Sequence, residues 1–189
     1  MELLKAIYER RSTRDFTDAE VRRDVVLDLI RAAIQAPSAL NEQPWAFAVI
    51  HGRERLAKYS KRAKEHLLRT EDPSYGLDPR IDEFDNDAIN LFHNADTLIV
   101  ICATPGRFFP NEDCFLAAQN LMLAAHGVGL GSCPVGSVRS WLMLPEIKAE
   151  LGIPEHYVPT VAIVVGYPAH PPLAVAKKAP EITSWHWDK

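Results

Sequence analysis

Leu3, Leu4 and Ile7 stand three and four residues apart, the spacing of a short opening helix, and the polar stretch 10–15 after them predicts extended chain. Thr17-Asp18-Ala19-Glu20 has the S/T-x-x-E form of a helix start. Val26, Leu29, Ile30 and Ala33 supply the apolar face of that second helix, which ends before Pro37. The short aromatic and β-branched run 45–50 predicts a strand, and 53–69 predicts an exposed helix. Almost unbroken apolar runs at 97–103 and 160–167 predict strands covered on both faces. Residues 113–126 have helical spacing but are apolar nearly all round, through Leu116, Ala117, Leu121, Met122, Leu123 and Ala125, which predicts a buried helix. A further helix fits 144–151. The acidic segment 70–94, with Pro73, Gly76 and Pro79, lacks clear periodicity and is expected to be a lid or binding loop.

Composition narrows the class. The chain has 189 residues, 47% hydrophobic and 24% charged, with no internal repeat or linker, so a single domain over 1–189 is expected. A net charge of −4 provides no global attraction for nucleic acid or an anionic membrane. No apolar run approaches the roughly 18 residues of a membrane span, and the charged N-terminus has no signal core, so the expected location is the cytoplasm. Cys102, Cys114 and Cys133 are odd in number and lack C-x-x-C spacing, which predicts buried thiols. The histidines show no ligand spacing, so no metal is expected. Without a G-x-S-x-G elbow or a Walker lysine loop, hydrolase and P-loop chemistry have no support.

Three segments carry candidate chemistry. In extended chain, a period of two puts Arg10, Ser12 and Arg14 on one face, a set suited to a phosphate or an electron-rich carbonyl. The same residues also fit an exposed basic turn balanced by Asp15 and Asp18. The connection Pro37-Ser38-Ala39-Leu40-Asn41-Glu42-Gln43-Pro44-Trp45 offers hydroxyl and amide groups that both donate and accept, as a heterocycle with N–H and C=O edges requires. Equally, Ser38 and Asn41 fit local turn bonding. In the third segment, Gly127, Gly129 and Gly131 precede Ser132-Cys133-Pro134-Val135-Gly136-Ser137. A helix rather than a strand comes before these glycines, which excludes a dinucleotide fingerprint and leaves a helix cap with close backbone approach. Lys177 and Lys178 add local positive charge.

These segments, taken in order, resemble the FMN-dependent nitroreductase family over nearly the whole chain. The resemblance is carried by Arg10-Arg11-Ser12-Thr13-Arg14, by residues 36–45, by Ala117-Ala118-Gln119-Asn120-Leu121-Met122-Leu123-Ala124-Ala125 with 127–132, and by Leu151-Gly152-Ile153-Pro154 before 161–168. It implies an α+β fold with a mixed sheet flanked by helices, a long buried central helix, and an intertwined homodimer with flavin sites at the interface. Residues 168–189 would wrap the partner. Arg10, Arg11 and Ser12 would meet the phosphate and ribityl chain, with Lys178 near the phosphate, and Arg14 would reach the polar edge of the ring. Asn41, with Pro37, Ser38, Ala39 and Gln43 around it, would come from the opposite chain. Pro134, Val135, Gly136 and Ser137 would line one ring face, with a backbone N–H near N5.

The implied reaction passes a hydride from NADH or NADPH through FMN to a small electron-poor acceptor such as a nitroaromatic or quinone. No side-chain acid or base is required. Dehalogenation or flavin fragmentation on the same fold, or a flavin-binding module without turnover, are the alternatives that the resemblance leaves open.

Overall fold

The computed structural model describes residues 2–69, 86, 88–106, 108–171 and 173–187. Its elements in chain order are α1 (Leu3–Glu9), α2 (Arg23–Ala33), a 3-10 turn (Ala39–Asn41), β1 (Trp45–His51), α3 (Arg53–Arg69), β2 (Thr97–Ala103), α4 (Pro110–Gly127), β3 (Gly131–Pro134), α5 (Arg139–Leu142), α6 (Pro145–Glu150) and β4 (Val158–Gly166). The strands lie in the order β1-β2-β4-β3 and pair antiparallel throughout. Among the described residues, the parallel pairing expected of a mixed sheet is confined to one isolated bridge, Ser12 with Ser132.

The apolar runs of β2 and β4 are explained by what covers them. Leu98, Val100, Cys102, Ala162 and Val164 point to one face, against α3, α5, α6 and the buried Leu91 and Phe92. Ile99, Ile101, Ala103, Val161, Ile163 and Val165 point to the other, against α2 and α4. The alternation of side chains therefore feeds two cores from the same two strands. Pro159 sits where the β2–β4 register slips between Ile101 and Cys102, a place where the ladder does not need its missing N–H.

Two elements differ from the sequence expectation. The second helix begins at Arg23 instead of in the 17–20 segment, and its N-cap residue Arg22 makes no side-chain cap. The Thr17 hydroxyl accepts the Ala19 N–H in a local turn, and the Val21 N–H is captured at 2.6 Å by the buried Asp96 carboxylate, so tertiary contact holds this segment out of the helix. Helix α4 is buried along one stripe only, through Asp113, Cys114, Ala117, Ala118, Leu121 and Ala125. Phe115 and Leu116 are 55% and 44% exposed, so its own chain covers only part of an all-apolar surface. Most of the expected lid, 70–85 and 87, lies outside the described residues. Among the described residues, no helix is long and apolar enough to cross a membrane, and no group of side chains could hold a metal ion.

Burial pushes the thiols up, Cys102 to about 11 and Cys114 to about 12. The native protein is expected to leave both unmodified by iodoacetamide at pH 7.5, while urea exposes them; peptide mass mapping reads the difference. On the surface, Arg62 of α3 forks onto Glu150 of α6 at 3.0 and 2.8 Å and lies over the Tyr59 and Trp141 rings. The Arg62 hydrogen bond holds the Glu150 carboxyl below the usual carboxylate range. A depressed folded-state pKa gives stability that is present above the unfolded value near 4.3 and is lost as pH falls through the folded one. Both groups are about 40% exposed, so Glu150→Gln is expected to cost about 0.2–1 kcal/mol at pH 7 and progressively less in urea melts as pH falls below the unfolded value.

Candidate functional site

The segment after α1 lies along the sheet as an added strip. Ser12 bridges Ser132, the Thr13 N–H donates to Ser132 O at 3.0 Å, the Thr17 N–H donates to Tyr167 O at 2.8 Å, and Phe16 bridges Pro168. Thr13 and Phe16, three positions apart, face inward and are buried, Arg10, Arg11 and Ser12 are half-buried, and Arg14 and Asp15 are exposed, so the two-residue alternation expected of extended chain holds only over Ser12, Thr13 and Arg14 and is broken before Phe16. The inward residues rest on two glycines that are partners in the β3–β4 register, Gly131 and Gly166. A Cβ on Gly131 would stand 2.6 Å from Thr13 Oγ1, and one on Gly166 would stand 2.8 Å from Phe16 Cδ1. Two positions without side chains are thus what lets the strip lie flat.

The strip lines a recess of about 600 Å³ formed by residues 10–15 with His170, Leu173, Val175 and Lys177. Three arginines and a lysine against Asp15 make it positive. Among the described residues, Arg10 Nη1 is buried without a hydrogen-bond partner, and a buried donor left unpaired is costly. Arg11 is used differently: its Nη1 donates to Tyr8 O at 2.7 Å and to Arg10 O at 2.8 Å, closing the carboxyl end of α1. Lys177 lines the recess, whereas Lys178 does not.

A second recess of about 150 Å³ lies beside the first and shares Arg14 with it. Its walls are Pro134, Val135, Gly136 and Ser137, with Cys133, and the turn that carries Asn90 and His93. That turn is anchored by buried Leu91 and Phe92 and by the Leu91 N–H donating to Ser60 Oγ at 2.8 Å. His93 and Asn94 both have left-handed backbone, φ 55° and 59°. Sequence reading flagged Asn90 and His93 only as part of the expected lid or binding loop 70–94 and missed His170, because no local spacing marks residues that only tertiary packing brings to a wall. The candidate arginines and residues 134–137 do come together, through Arg14.

The loop 37–43 lines neither recess. It is nonetheless built with care. Leu40, Asn41 and Gln43 have φ of 51°, 55° and 50°, a conformation that costs of order 1–3 kcal/mol per non-glycine residue and persists only where the surroundings hold it. Ser38 Oγ accepts the Gln43 N–H at 2.9 Å, the Gln43 side-chain amide donates to Asn41 Oδ1 at 3.2 Å, and the Asp113 carboxylate accepts the Ala39 N–H. Asn41 and Gln43 are exposed.

Known proteins can be set beside this geometry. The Nitroreductase family profile matches residues 7–167. A protein of Archaeoglobus fulgidus, provisionally assigned as an NADH dehydrogenase/NAD(P)H nitroreductase, is 34% identical over 172 residues, covering 88% of this chain and 86% of its own. The fold superposes on a nitroreductase with bound FMN from Bacteroides fragilis with a TM-score of 0.83 at 24% identity, covering 100% of both chains. It also superposes on a nitroreductase with bound FMN from Desulfitobacterium hafniense with a TM-score of 0.76 at 27% identity, covering 97% and 95%. With the family profile spanning both recesses' strip and wall, this chain belongs to the nitroreductase family.

Proposed function

We propose that the protein is an FMN-dependent oxidoreductase that takes reducing equivalents from NADH or NADPH and passes them to an electron-poor nitroaromatic or quinone. The observation that carries this reading is Arg10, which lines a positive recess sized for a ligand together with Ser12 and Lys177 and whose Nη1 is a buried donor with no partner among the described residues. A terminal phosphate satisfies that donor with a charge-assisted bond. The solved relative from Desulfitobacterium hafniense holds FMN, and the Archaeoglobus fulgidus relative's provisional name includes NAD(P)H nitroreductase.

In this reading Arg10 and Ser12 hold the phosphate with Lys177, and Arg14, common to both recesses, faces the ring. Residues 134–137 form the wall behind the ring. The flavin supplies the hydride chemistry, and the protein supplies position and positive charge. Asn41 reaches the cofactor of a second copy, since its loop lines neither recess of its own chain. The surfaces a second copy would cover are apolar and exposed: Leu3, Leu4 and Tyr8 of α1, Phe115 and Leu116 of α4, and Trp185 and Trp187 of the tail.

The purified protein is expected to be yellow, or to take up FMN in preference to FAD, and to oxidise NADH or NADPH when a quinone or nitroaromatic is supplied. Colourless protein without FMN affinity would overturn the cofactor assignment. Bound flavin that no nicotinamide reduces would leave a flavin-binding module in place of an enzyme.

A further inference from the structure

We propose that Asp113 is a positioning residue of the flavin site, acting through the Ala39 amide to hold Asn41 where it meets the cofactor of the partner subunit. This rests on the reading of Asn41 given above. Asp113 lies in the first turn of α4 and is only 3% exposed. Its two carboxylate oxygens stand 3.3 and 3.2 Å from one donor, the Ala39 N–H, seventy-four positions earlier in the chain. Among the described residues no basic side chain lies within salt-bridge distance of it.

A buried carboxylate without a cation is an expensive choice for a core stripe. Its neighbours on that stripe, Cys114, Ala117 and Ala118, show that small apolar side chains suffice for packing there. The positive end of an 18-residue helix makes the charge tolerable, but what the charge accomplishes lies outside the helix. Ala39 opens the 3-10 turn Ala39–Asn41, and Ser38 before it makes no side-chain cap. The Ser38 hydroxyl is instead occupied by the Gln43 N–H. Asp113 therefore caps the turn from another element.

Three of the four residues downstream of that cap have left-handed backbone, Glu42 alone keeping ordinary helical angles. Leu40, Asn41 and Gln43 keep their left-handed angles with both ends of the loop tied, the first by Asp113 and the last by Ser38. Within the loop, the Gln43 amide occupies Asn41 Oδ1, which leaves the Asn41 Nδ2 donors as the outward-facing group. A donor held in a fixed direction suits a ring carbonyl. Freeing the first tie lets the loop relax toward ordinary angles and carries Asn41 away from that direction.

The test is a double-mutant cycle read by FMN binding, followed by flavin fluorescence quenching, with circular dichroism and sedimentation confirming that each apo variant is folded and assembled as wild type. Asn41→Ala is expected to raise the FMN Kd about tenfold or more, and Asp113→Ala to do nearly as much. The double variant should bind within about twofold of Asn41→Ala alone, because a residue that works through Asn41 has nothing left to position. Asp113→Asn, which keeps an acceptor oxygen, should lie within about threefold of wild type. Should Asp113→Ala not fold, Asp113→Ser, too short to reach Ala39, takes its place in the cycle. Additive losses, an Asp113 variant that binds FMN as wild type, or Asp113→Asn as weak as Asp113→Ala would each overturn the proposal. If wild type binds FMN and Asn41→Ala binds it equally well, this inference falls while the cofactor assignment stands; if wild type takes up no FMN, the cofactor assignment itself has failed.

Discussion

Gly131→Ala is expected to destabilise the protein by about 1–3 kcal/mol, the usual cost of forcing an extra methyl into a packed contact, and to weaken FMN binding in the same variant. The added Cβ would lie 2.6 Å from Thr13 Oγ1 and 2.7 Å from Thr13 Cβ and Cγ2. Thr13 is buried and β-branched, so it has no flexible end to withdraw, and the strip carrying Arg10, Ser12 and Arg14 must lift from β3. The constraint is closeness, since Gly131 has no left-handed backbone. In a chain of this size each kcal/mol lowers Tm by roughly 2–4 °C, which thermal melts resolve easily. Thr13→Gly in the same background removes the three atoms nearest the new Cβ and should recover part of both losses. A Gly131→Ala variant with wild-type Tm and FMN affinity would show that the strip does not depend on this contact.

Arg10→Gln is expected to separate the cofactor from the fold. A hydrogen bond to a charged group is worth about 1.5–3 kcal/mol, so losing it weakens FMN binding about 10- to 150-fold. The apo protein should hardly notice, because among the described residues the Arg10 Nη1 donor has no hydrogen-bond partner to lose. Added FMN raises the Tm of wild type by mass action on the folded state, and the variant should lose most of that gain at the same concentration. Titration by fluorescence quenching gives the Kd directly. Equal Kd values for wild type and Arg10→Gln would make Arg10 a surface residue and remove the phosphate assignment.

The elements visible in the sequence are those whose pattern is set by their own burial. Helix α3 over Arg53–Arg69 and strand β2 over Thr97–Ala103 stand where periodicity and apolar runs place them. Strand β3, Gly131–Pro134, left no such trace, because a four-residue strand rich in small side chains has no period to read. The glycines there were visible as a cap. Gly129, with φ 82°, donates to His126 O at the end of α4 and fills that role. That Gly131 serves Thr13 instead needed coordinates. The two-residue period groups Arg10, Ser12 and Arg14, whereas every residue from Arg10 to Asp15 lines the recess. Asn90 and His93 were legible only as part of the segment 70–94 expected to be a lid or binding loop, and Lys177 only as local positive charge, since they reach the recesses through the turn before β2 and through the tail. The start of α2 was misplaced for a related reason: Thr17 to Glu20 carries a local signature that the distant Asp96 overrides.

Arg11 does the quietest work in the strip and has the widest reach. By donating to Tyr8 O and Arg10 O, its guanidinium welds the end of α1 to the first residue of the positive recess. The apolar side chains of α1, Leu3, Leu4 and Tyr8, are thereby on the same rigid piece as Arg10. In the dimer proposed above, fixing that helix against a second copy also fixes Arg10 for its ligand. Linkage requires the converse with equal strength: whatever free energy assembly adds to cofactor binding, the cofactor returns to assembly. The dissociation constant of the dimer is then a function of FMN concentration, and dilution releases subunits and flavin together.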